Sequence, residues 1–436
     1  MKYFCRHILL FAALGVLLCS CGGKHVDGDI GDASEPLYLR ISERPQGGWI
    51  AVSVSPFDGS SDTLVIDRPM TNIIVMSTSH YGFLDALGRT DIISGISGPD
   101  FLWTASPSRL VSAALVSDLA AGLASPDRGR PRHARGRGPD RRRGGEGLPS
   151  RSLREMGGTE RSEESGLSEP ATRSTSTVET PVDVGYDGAP DYEKIVALGP
   201  EVVLTYAVSG AKSQFVSRLE QLGIKVFTVN EHLERHPLAR AAYIRLFGAL
   251  CGQMDAADSL LAEVKNNYNA ITDAVKKIGG QPRKVLLNIP YNDQWFVPAS
   301  DNYLTAMIQD AGGTVLGTEE GKAASSVMSV EKAYSLSKGA DCWLNIGWCR
   351  TIDDLLGVNP IFKEMLENIK SNALELGYGS YPVVWNDNKR MNPKGGNDIW
   401  QSGVARPDLV LRDLSIILHP DNQGEASETI YYRLIN

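Results

Sequence analysis

Residues 257–278, with the sequence ADSLLAEVKNNYNAITDAVKKI, carry the pattern that decides how the chain is organised. Apolar side chains recur there at intervals of three and four residues, which places them on one face of an α-helix. The residues of this face are Ala257, Leu260, Leu261, Val264, Tyr268, Ile271, Val275 and Ile278. The pattern predicts a single helix of about 24 residues with a continuous buried face.

Short apolar runs alternate with helical patterns on both sides of this helix. The predicted strands are 72–76, 92–96, 201–206, 225–229, 284–289 and 342–346, and the predicted helices are 80–87, 192–198, 209–222, 303–310 and 329–337. Such runs suit parallel strands that are buried on both faces, and the alternation is typical of α/β folds. We therefore expect one α/β lobe on each side of the long helix.

Two stretches on opposite sides of the long helix match each other. Residues 191–198, DYEKIVAL, and residues 329–336, SVEKAYSL, each precede a predicted strand. An acidic residue in either one alone would only reflect the preference of helix N-termini for negative charge. The paired occurrence indicates two related, Rossmann-like lobes. Ligands of open α/β sheets bind at the carboxyl ends of the strands, so we expect a shared cleft there.

The composition argues against several classes of protein. The 436 residues are 42% hydrophobic and 22% charged, which is ordinary for globular proteins and unlike a disordered chain or a polytopic membrane protein. Lys and Arg number 44 against 52 Asp and Glu, a formal net charge of -8. Nucleic-acid binding requires a positive surface that replaces phosphate counterions, so we expect no nucleic-acid partner.

The first twenty residues have the pattern of an export signal. Lys2 and Arg6 precede an apolar run, 8–18, that is shorter than the roughly 20 residues needed to span a bilayer. The Leu-Cys-Ser-Cys that follows resembles a bacterial lipobox, in which Cys21 receives the lipid. An ordinary signal cut beside an incidental Cys is the alternative. We expect a periplasmic protein that is held at the membrane by its lipid anchor only.

The patterns together predict the domain organisation of the chain. It consists of a signal peptide at 1–20, a tether at 21–36, a short β segment at 37–66, a first lobe at 67–235, connecting helices at 236–280, a second lobe at 281–422 and a C-terminal tail at 423–436.

A window at 111–180 departs from this organisation. It contains twelve Arg and no Lys, with eight of the Arg between Arg128 and Arg143, and it has no periodic apolar pattern. Three interpretations remain open: a disordered insertion, a basic arm that binds RNA or lipid, and a stretch read from a shifted frame of GC-rich DNA. We favour a segment that does not fold, whether insertion or artefact, over a functional arm.

Several motifs resemble one family. They include NIIVMSTSH at 72–80, DVGYDG at 183–188, GGND at 395–398 and PDLVLRDL at 407–414. With the repeated helices, they are similar to substrate-binding proteins of ABC transporters of the iron-siderophore and vitamin B12 type, in a branch common in Bacteroides-like bacteria. The resemblance covers roughly residues 37–110 and 182–422. Relatives often carry Glu where this chain has Gly82 and Gln401.

The resemblance implies a fold, a partner and a role. The fold is the class III periplasmic binding protein type, with two lobes joined by one rigid helix, and the role is binding without catalysis or a resident cofactor. Glu193 and Glu331, which lie in the two matching stretches, fall on the acids that dock such proteins onto a membrane permease with its ATPase. The protein is expected to act as a monomer.

The cargo is expected in the cleft between the lobes, as an iron-siderophore, haem or corrinoid. The candidate cleft residues follow predicted strands or lie in the loops beyond them: Ser77, Ser79, His80, Phe101, Trp103, Tyr206, Tyr291, Trp295, Trp348, Arg390 and Asn392. Aromatic walls with a few polar groups suit a large, flat chelate. Arg390 would pair with a carboxylate or phosphate on the ligand. The alternatives are burial in the core for each aromatic and a solvated surface position for Arg390.

A bare metal site and a secreted hydrolase are the alternative functions. A bare zinc or manganese site would need several His and a carboxylate; His232 and His236 are four residues apart, but Pro237 follows and no third ligand is evident. A secreted hydrolase would be expected to show a Gly-x-Ser-x-Gly or His-Glu-x-x-His motif, and neither occurs. Once the signal is removed and Cys21 is acylated, Cys342 and Cys349 either form a bridge or, as we favour, are small buried residues.

Overall fold

The computed structural model describes residues 33–104, 180–321, 325–378, 382–420 and 428–436. The predicted export signal, Cys21 and all of the Arg-rich window except Thr180 lie outside these ranges. None of the helices within the described ranges combines the length and the apolar character needed to cross a membrane.

The chain first forms a small antiparallel sheet of three strands, β1 Leu39–Glu43, β2 Trp49–Val54 and β3 Ser61–Ile66. Ala51 of the central strand pairs with Ile41 on one side and Leu64 on the other. Ala51, Leu64 and Ile66 are buried against the first lobe while their neighbours along the strands are more exposed, as expected for a sheet with one covered face.

The first lobe is built on a parallel five-stranded sheet. Its strands and the small hairpin beside it are β4 Ile73–Val75, β5 Ile93–Ile96, β6 Val182–Asp183, β7 Gly185–Tyr186, β8 Ala189–Pro190, β9 Val202–Thr205 and β10 Val226–Thr228. The order in the sheet is β10-β9-β4-β5-β6, and β7 pairs with β8. All residues of β4 and β9 are buried, which agrees with the continuous apolar runs in the sequence.

Three helices of the first lobe begin at side-chain caps. They are α1 Thr78–Ala86, α2 Tyr192–Leu198 and α3 Gln214–Gln221. The side chains of Ser77, Asp191 and Ser213 accept hydrogen bonds from backbone N–H groups in the first turns.

The lobes are connected by three helices, α4 Pro237–Ala241, α5 Ile244–Cys251 and α6 Met254–Ile278. Helix α6 has 25 residues and buries Ala257, Leu261, Val264, Tyr268 and Ile271, so the long helix predicted from the apolar periodicity is present. Leu260 and Ile278 are partly buried at the edges of the same face.

The second lobe repeats the arrangement of the first. Its strands are β11 Arg283–Leu287, β12 Trp295–Val297, β13 Gly313–Val315, β14 Ser326–Met328, β15 Cys342–Leu344, β16 Val384–Asn386 and β17 Arg433–Leu434. Its helices are α7 Tyr303–Asp310, α8 Val330–Ser337, α9 Ile352–Val358, α10 Phe362–Glu375, α11 Ser402–Ala405 and α12 Pro407–Leu418. The main sheet has the order β13-β11-β15-β16-β17 and is parallel except for β17, and β12 pairs with β14.

The last described residues, 428–436, differ from the separate tail that the sequence predicted. Strand β17 extends the second sheet, and the buried carboxylate of Asp413 in α12 accepts hydrogen bonds from the N–H groups of Ile430, Tyr431 and Tyr432 at 2.8, 2.6 and 3.2 Å. The C-terminal residues are therefore part of the second lobe. A two-residue edge strand is too short to leave a pattern in the sequence.

Among the described residues, Cys342 and Cys349 do not form the bridge that was one alternative. Cys251, Cys342 and Cys349 are all free and buried. Burial raises the pKa of the Cys342 thiol to about 12, so it behaves as a small apolar group.

Candidate functional site

Polar residues follow the strands of both parallel sheets at the edges where a cleft is expected. In the first lobe, Ser77, Tyr206 and Glu231 come shortly after β4, β9 and β10, and in the second lobe Asn345 and Asp387 follow β15 and β16. Loops at these two edges are joined by hydrogen bonds from Asn392 and Gln401 of the second lobe to residues 100–103 of the first. The candidate site is therefore the region between the lobes.

The predicted serines are joined in one network in the first lobe. The hydroxyls of Ser77 and Ser79 lie 2.8 Å apart, and Ser79 Oγ donates to Glu231 Oε1 at 2.7 Å. Ser77 is partly buried and Ser79 is buried. Ser77 is thus the more accessible of the two, and Ser79 holds Glu231 in place.

His80 lies inside the first lobe, although it was predicted in the cleft. It is fully buried, and its ring centroid is 5.9 Å from that of Phe247. Burial lowers the pKa of His80 to about 4, so the ring is neutral at physiological pH. Helix α1 begins at Thr78, which turns His80 towards the connecting helix α5 and away from the strand ends.

Tyr206 and His232 form an aromatic pair beside the serine network. Their ring centroids are 6.0 Å apart in an edge-to-face arrangement, and His232 Nε2 is 2.9 Å from the carbonyl oxygen of Ala207. Burial, with the nearby Asp187 and Glu231 carboxylates, raises the pKa of Tyr206, so it stays a neutral phenol. Tyr206 is half-buried and remains available to a ligand.

The buried carboxylate of Glu231 lies beside two basic side chains, His232 and Arg240, at this edge of the first lobe. Burial opposes its ionisation, but the hydrogen bond and charge of His232, together with the charge of Arg240, lower the pKa of Glu231 well below its usual range. His232 Nδ1 is 3.4 Å from Glu231 Oε2, and an Arg240 guanidinium nitrogen is 3.6 Å from Glu231 Oε1. The carboxylate is therefore charged and surrounded by protein groups.

Trp103, Arg390 and Asn392 are brought together, but they mainly join the lobes. The Asn392 side-chain amide donates to the carbonyl oxygens of Asp100 and Leu102 at 3.0 and 2.9 Å. The Gln401 side chain accepts from the N–H of Trp103 at 2.9 Å and donates to its carbonyl oxygen at 3.1 Å. We call the segment 100–103 with these two side chains the interlobe tie.

Arg390 also belongs to this contact. Its Nε is 2.7 Å from Oδ2 of the buried Asp398, and its guanidinium carbon is 5.2 Å from the centre of the Trp103 ring. The position predicted for pairing with an anionic ligand is thus already paired with a carboxylate of the second lobe.

Two glycines allow the lobes to approach at this point. A Cβ on Gly396 would lie 1.8 Å from the carbonyl oxygen of Phe101, and a Cβ on Gly82 would lie 2.0 Å from that of Gln401. The Glu that relatives often carry in place of Gly82 would not fit against this backbone.

The three aromatic candidates of the second lobe have different surroundings. Trp295 is fully buried, donates from Nε1 to the carbonyl oxygen of Leu287 at 2.7 Å and stacks on Trp343. It lies in the core and not in the cleft, because β12 turns it inward against the sheet. Tyr291 is half-buried in a tight turn, and Trp348 is 43% exposed. Only these last two are accessible.

The sequence reasoning missed several residues between the lobes: Glu231, Arg240, Tyr303, Asp387 and Gln401. Glu231 and Asp387 follow strands β10 and β16, so the same rule that selected Tyr206 would have found them. Arg240 and Tyr303 lie in helices α4 and α7, where no local signal separates a buried arginine from a solvated one.

The two candidate docking acids occupy equivalent positions in the two lobes. Glu193 and Glu331 are each the second residue of a capped helix, α2 or α8, that leads into a buried strand. Both side chains are exposed, and within the described residues neither forms an ion pair. An open surface concavity of about 850 Å³ beside Glu193 is lined by residues that include Tyr192, Val196, Arg218 and Leu222.

The histidines proposed for a bare metal site serve other contacts. His236 Nδ1 accepts from the N–H of Leu238 at 3.2 Å, whereas His232 lies beside Glu231 and Ala207. In the ranges that the structure describes, no three His, Cys, Asp or Glu side chains are grouped as metal ligands.

Comparison with known proteins gives one family match. A family model described as a periplasmic binding protein matches residues 162–372. This range contains Glu193, Glu331 and the long helix, and it leaves out the motifs at 72–80 and 395–414.

One curated relative is an uncharacterized lipoprotein of Methanocaldococcus jannaschii, 26% identical over 247 residues, which are 55% of this chain and 53% of the relative. The chain thus spans about half the length of the curated relative that it matches.

Similar solved structures are periplasmic binding proteins. One from Veillonella parvula is 14% identical, with a TM-score of 0.51 over 85% of this chain and 98% of that chain. A periplasmic heme-binding protein from Roseiflexus sp. RS-1 is 14% identical, with a TM-score of 0.47 over 81% of this chain and all of the other. The predicted fold class is confirmed. The chain matches the periplasmic binding protein family over residues 162–372 and has the fold of that family, with two α/β lobes connected by helices α4 to α6, of which α6 is the long one.

Proposed function

We propose that this chain is the solute-binding component of an ABC importer, anchored in the membrane through lipid on Cys21. It captures a metal chelate, such as an iron-siderophore, haem or corrinoid, between its lobes and delivers it to a permease that works with an ATPase. It acts as a periplasmic monomer and binds its cargo without changing it.

The observation that carries this proposal is the pair of exposed acids, Glu193 and Glu331. The repeat gives each lobe one carboxylate at the start of a helix that precedes a central strand of its sheet. A soluble enzyme has no need of such a matched pair, whereas a permease with two-fold symmetry can contact both. Complementary charges at the rim of an interface act mainly on encounter and orientation.

The cleft between the lobes supports a chelate as cargo. Tyr206 and Ser77 from the first lobe and Tyr291 and Trp348 from the second are accessible at the facing edges. Trp295 is not part of this set because its indole is buried. Asn392 belongs to the interlobe tie, and Arg390 is paired with Asp398. Aromatic faces with few polar groups suit a large planar or globular chelate.

The docking acids give the test of this function. Replacing Glu193 and Glu331 together by Ala should reduce chelate uptake in cells by roughly tenfold, because the charges that orient the protein on the permease are lost. Charge reversal at either site, such as Glu193→Lys, should reduce uptake more than truncation of that residue to Ala, since like charges would then face each other. Uptake of radiolabelled chelate at limiting concentration measures the effect.

A double variant of two other exposed acids, Glu43→Ala with Glu375→Ala, is the matched control, with one change near each lobe. Its uptake should equal that of the unaltered protein. Thermal midpoint and chelate affinity in solution should be unchanged in both double variants. Normal uptake by the Glu193 and Glu331 double variant would contradict the docking role.

Lipid anchoring is tested by Cys21→Ser. The variant should lose the acyl group, because only the Cys thiol accepts the lipid, and the protein should move from the membrane fraction to the periplasmic or unprocessed fraction. Incorporation of radiolabelled palmitate measures the modification. Cys251→Ser, which changes a buried thiol, should still be labelled. Labelling of Cys21→Ser would show that the anchor is elsewhere.

A further inference from the structure

Four residues form a buried polar group between the two lobes, and we call them the floor cluster. Glu231 follows β10 of the first lobe, Arg240 lies in the connecting helix α4, Tyr303 is the first residue of α7 and Asp387 follows β16 of the second lobe. Arg240, Tyr303 and Asp387 each retain 8% of their accessible surface. The cluster is therefore deep, and these three side chains keep only a small accessible area.

Both carboxylate oxygens of Glu231 have a polar neighbour in the first lobe. Ser79 Oγ donates to Oε1 at 2.7 Å, and His232 Nδ1 lies 3.4 Å from Oε2. Its carboxylate positions Arg240 by charge, at a nitrogen to oxygen distance of 3.6 Å that is beyond an ordinary hydrogen bond.

Arg240 is held in place with hydrogen-bonding capacity to spare. Its guanidinium carbon is 4.6 Å from the centre of the Tyr303 ring, so the ring supports one face of the group. Nε is buried, and among the described residues it has no hydrogen-bond partner. A guanidinium has five N–H donors and no acceptor, so it is built to receive further acceptor atoms.

The rest of the cluster adds little negative charge that would repel an anion. Burial raises the pKa of Asp387 to about 7, so at neutral pH a large part of this carboxyl is protonated. Burial likewise raises the pKa of Tyr303, against the opposing effect of Arg240, and the phenol remains a neutral donor.

We propose that Arg240 is the anion-recognition residue of the cleft, and that the cargo is a chelate that carries a carboxylate or a similar anionic group. This inference rests on the proposed function. A planar guanidinium supported by Tyr303 binds a carboxylate through two parallel hydrogen bonds, which fixes the orientation of the ligand as well as its charge. Arg390, the residue predicted for this role, is more tightly paired: its Nε lies 2.7 Å from Asp398, whereas the Arg240 guanidinium lies 3.6 Å from Glu231.

The test uses two probes that differ only in their carboxylates, haemin and haemin dimethyl ester, titrated by quenching of tryptophan fluorescence. In Arg240→Gln, the Kd for haemin should rise about tenfold or more, as expected for loss of a charge-assisted bidentate contact. The Kd for the ester should not change. Arg235→Gln, at a partly exposed arginine 3.7 Å from Asp301, is the control and should leave both values unchanged.

Arg240→Lys is a second variant, for the case that Arg240→Gln does not fold. It keeps the positive charge and loses the bidentate geometry, so its haemin affinity should lie between those of the unaltered protein and Arg240→Gln. Equal losses for haemin and its ester, or no loss for haemin, would overturn the assignment of Arg240. Tight binding of the neutral chelates ferrichrome or cyanocobalamin in place of haemin would overturn the anionic cargo and leave the proposed function standing. Binding of none of these chelates would overturn the proposed function itself.

Discussion

Gly396→Ala should lower the free energy of unfolding by roughly 3 kcal/mol or more, although it adds only a methyl group. A Cβ at this position would lie 1.8 Å from the carbonyl oxygen of Phe101, which is backbone and cannot rotate away. Overpacking of a close contact costs about 1–3 kcal/mol. The shift that relieves it would also break the hydrogen bonds from Asn392 to Asp100 and Leu102, at about 1 kcal/mol each.

Urea unfolding measures the change, and Gly357→Ala is the matched control. A Cβ on Gly357 meets nothing within 4 Å, and this glycine lies inside helix α9, so the control should be neutral or slightly stabilising. Equal stability of Gly396→Ala and the unaltered protein would mean that the interlobe tie does not form in solution.

The fold could be predicted from the sequence because its signals are local. The apolar face of α6 recurs within one helix, and the buried strands β4 and β9 are continuous apolar runs. Caps such as Ser77 and Asp191 stand directly before their helices. Each of these patterns is complete within a few residues, so the elements follow without knowledge of the tertiary contacts.

The interlobe tie could not be predicted, because it joins residues that are far apart in the sequence. Trp103 and Gln401 are 298 positions apart, and nothing near either residue indicates the other. The motif Gly395-Gly396-Asn397-Asp398 is visible in the sequence. The reason why its second residue is glycine, the close approach of the Phe101 backbone to Gly396, is visible only in three dimensions.

The candidate site was predicted in part for a related reason. The strand-end rule locates a residue at the cleft edge, as it did for Ser77 and Tyr206, but it does not say which way the side chain turns. His80 is only three positions beyond Ser77 and yet lies in the interior of the lobe, because α1 has begun between them. Composition and spacing carry no information on that rotation.

Trp295 and Trp348 were both predicted in the cleft, but only Trp348 is accessible. Trp295→Ala should lower the free energy of unfolding by about 3–5 kcal/mol, the usual range for a large aromatic removed from a packed core. Its indole is wholly buried, stacks on Trp343 with centroids 5.9 Å apart and packs edge-on against Phe362 at 5.8 Å. The change would also remove the hydrogen bond to the carbonyl oxygen of Leu287, which would then be buried without that partner.

Trp348→Ala is the matched control, with the same chemical change at a side chain that is 43% exposed. It should alter stability by no more than about 0.5 kcal/mol. If Trp348 stacks on the cargo, its loss should weaken binding by about 1 kcal/mol, or roughly fivefold in Kd. Urea unfolding and chelate titration of both variants separate the two roles.

If Trp295 lies in the core, Trp295→Ala must lower the free energy of unfolding, whatever its effect on chelate affinity. A Trp295→Ala protein of undiminished stability that had lost chelate affinity would return this tryptophan to the cleft.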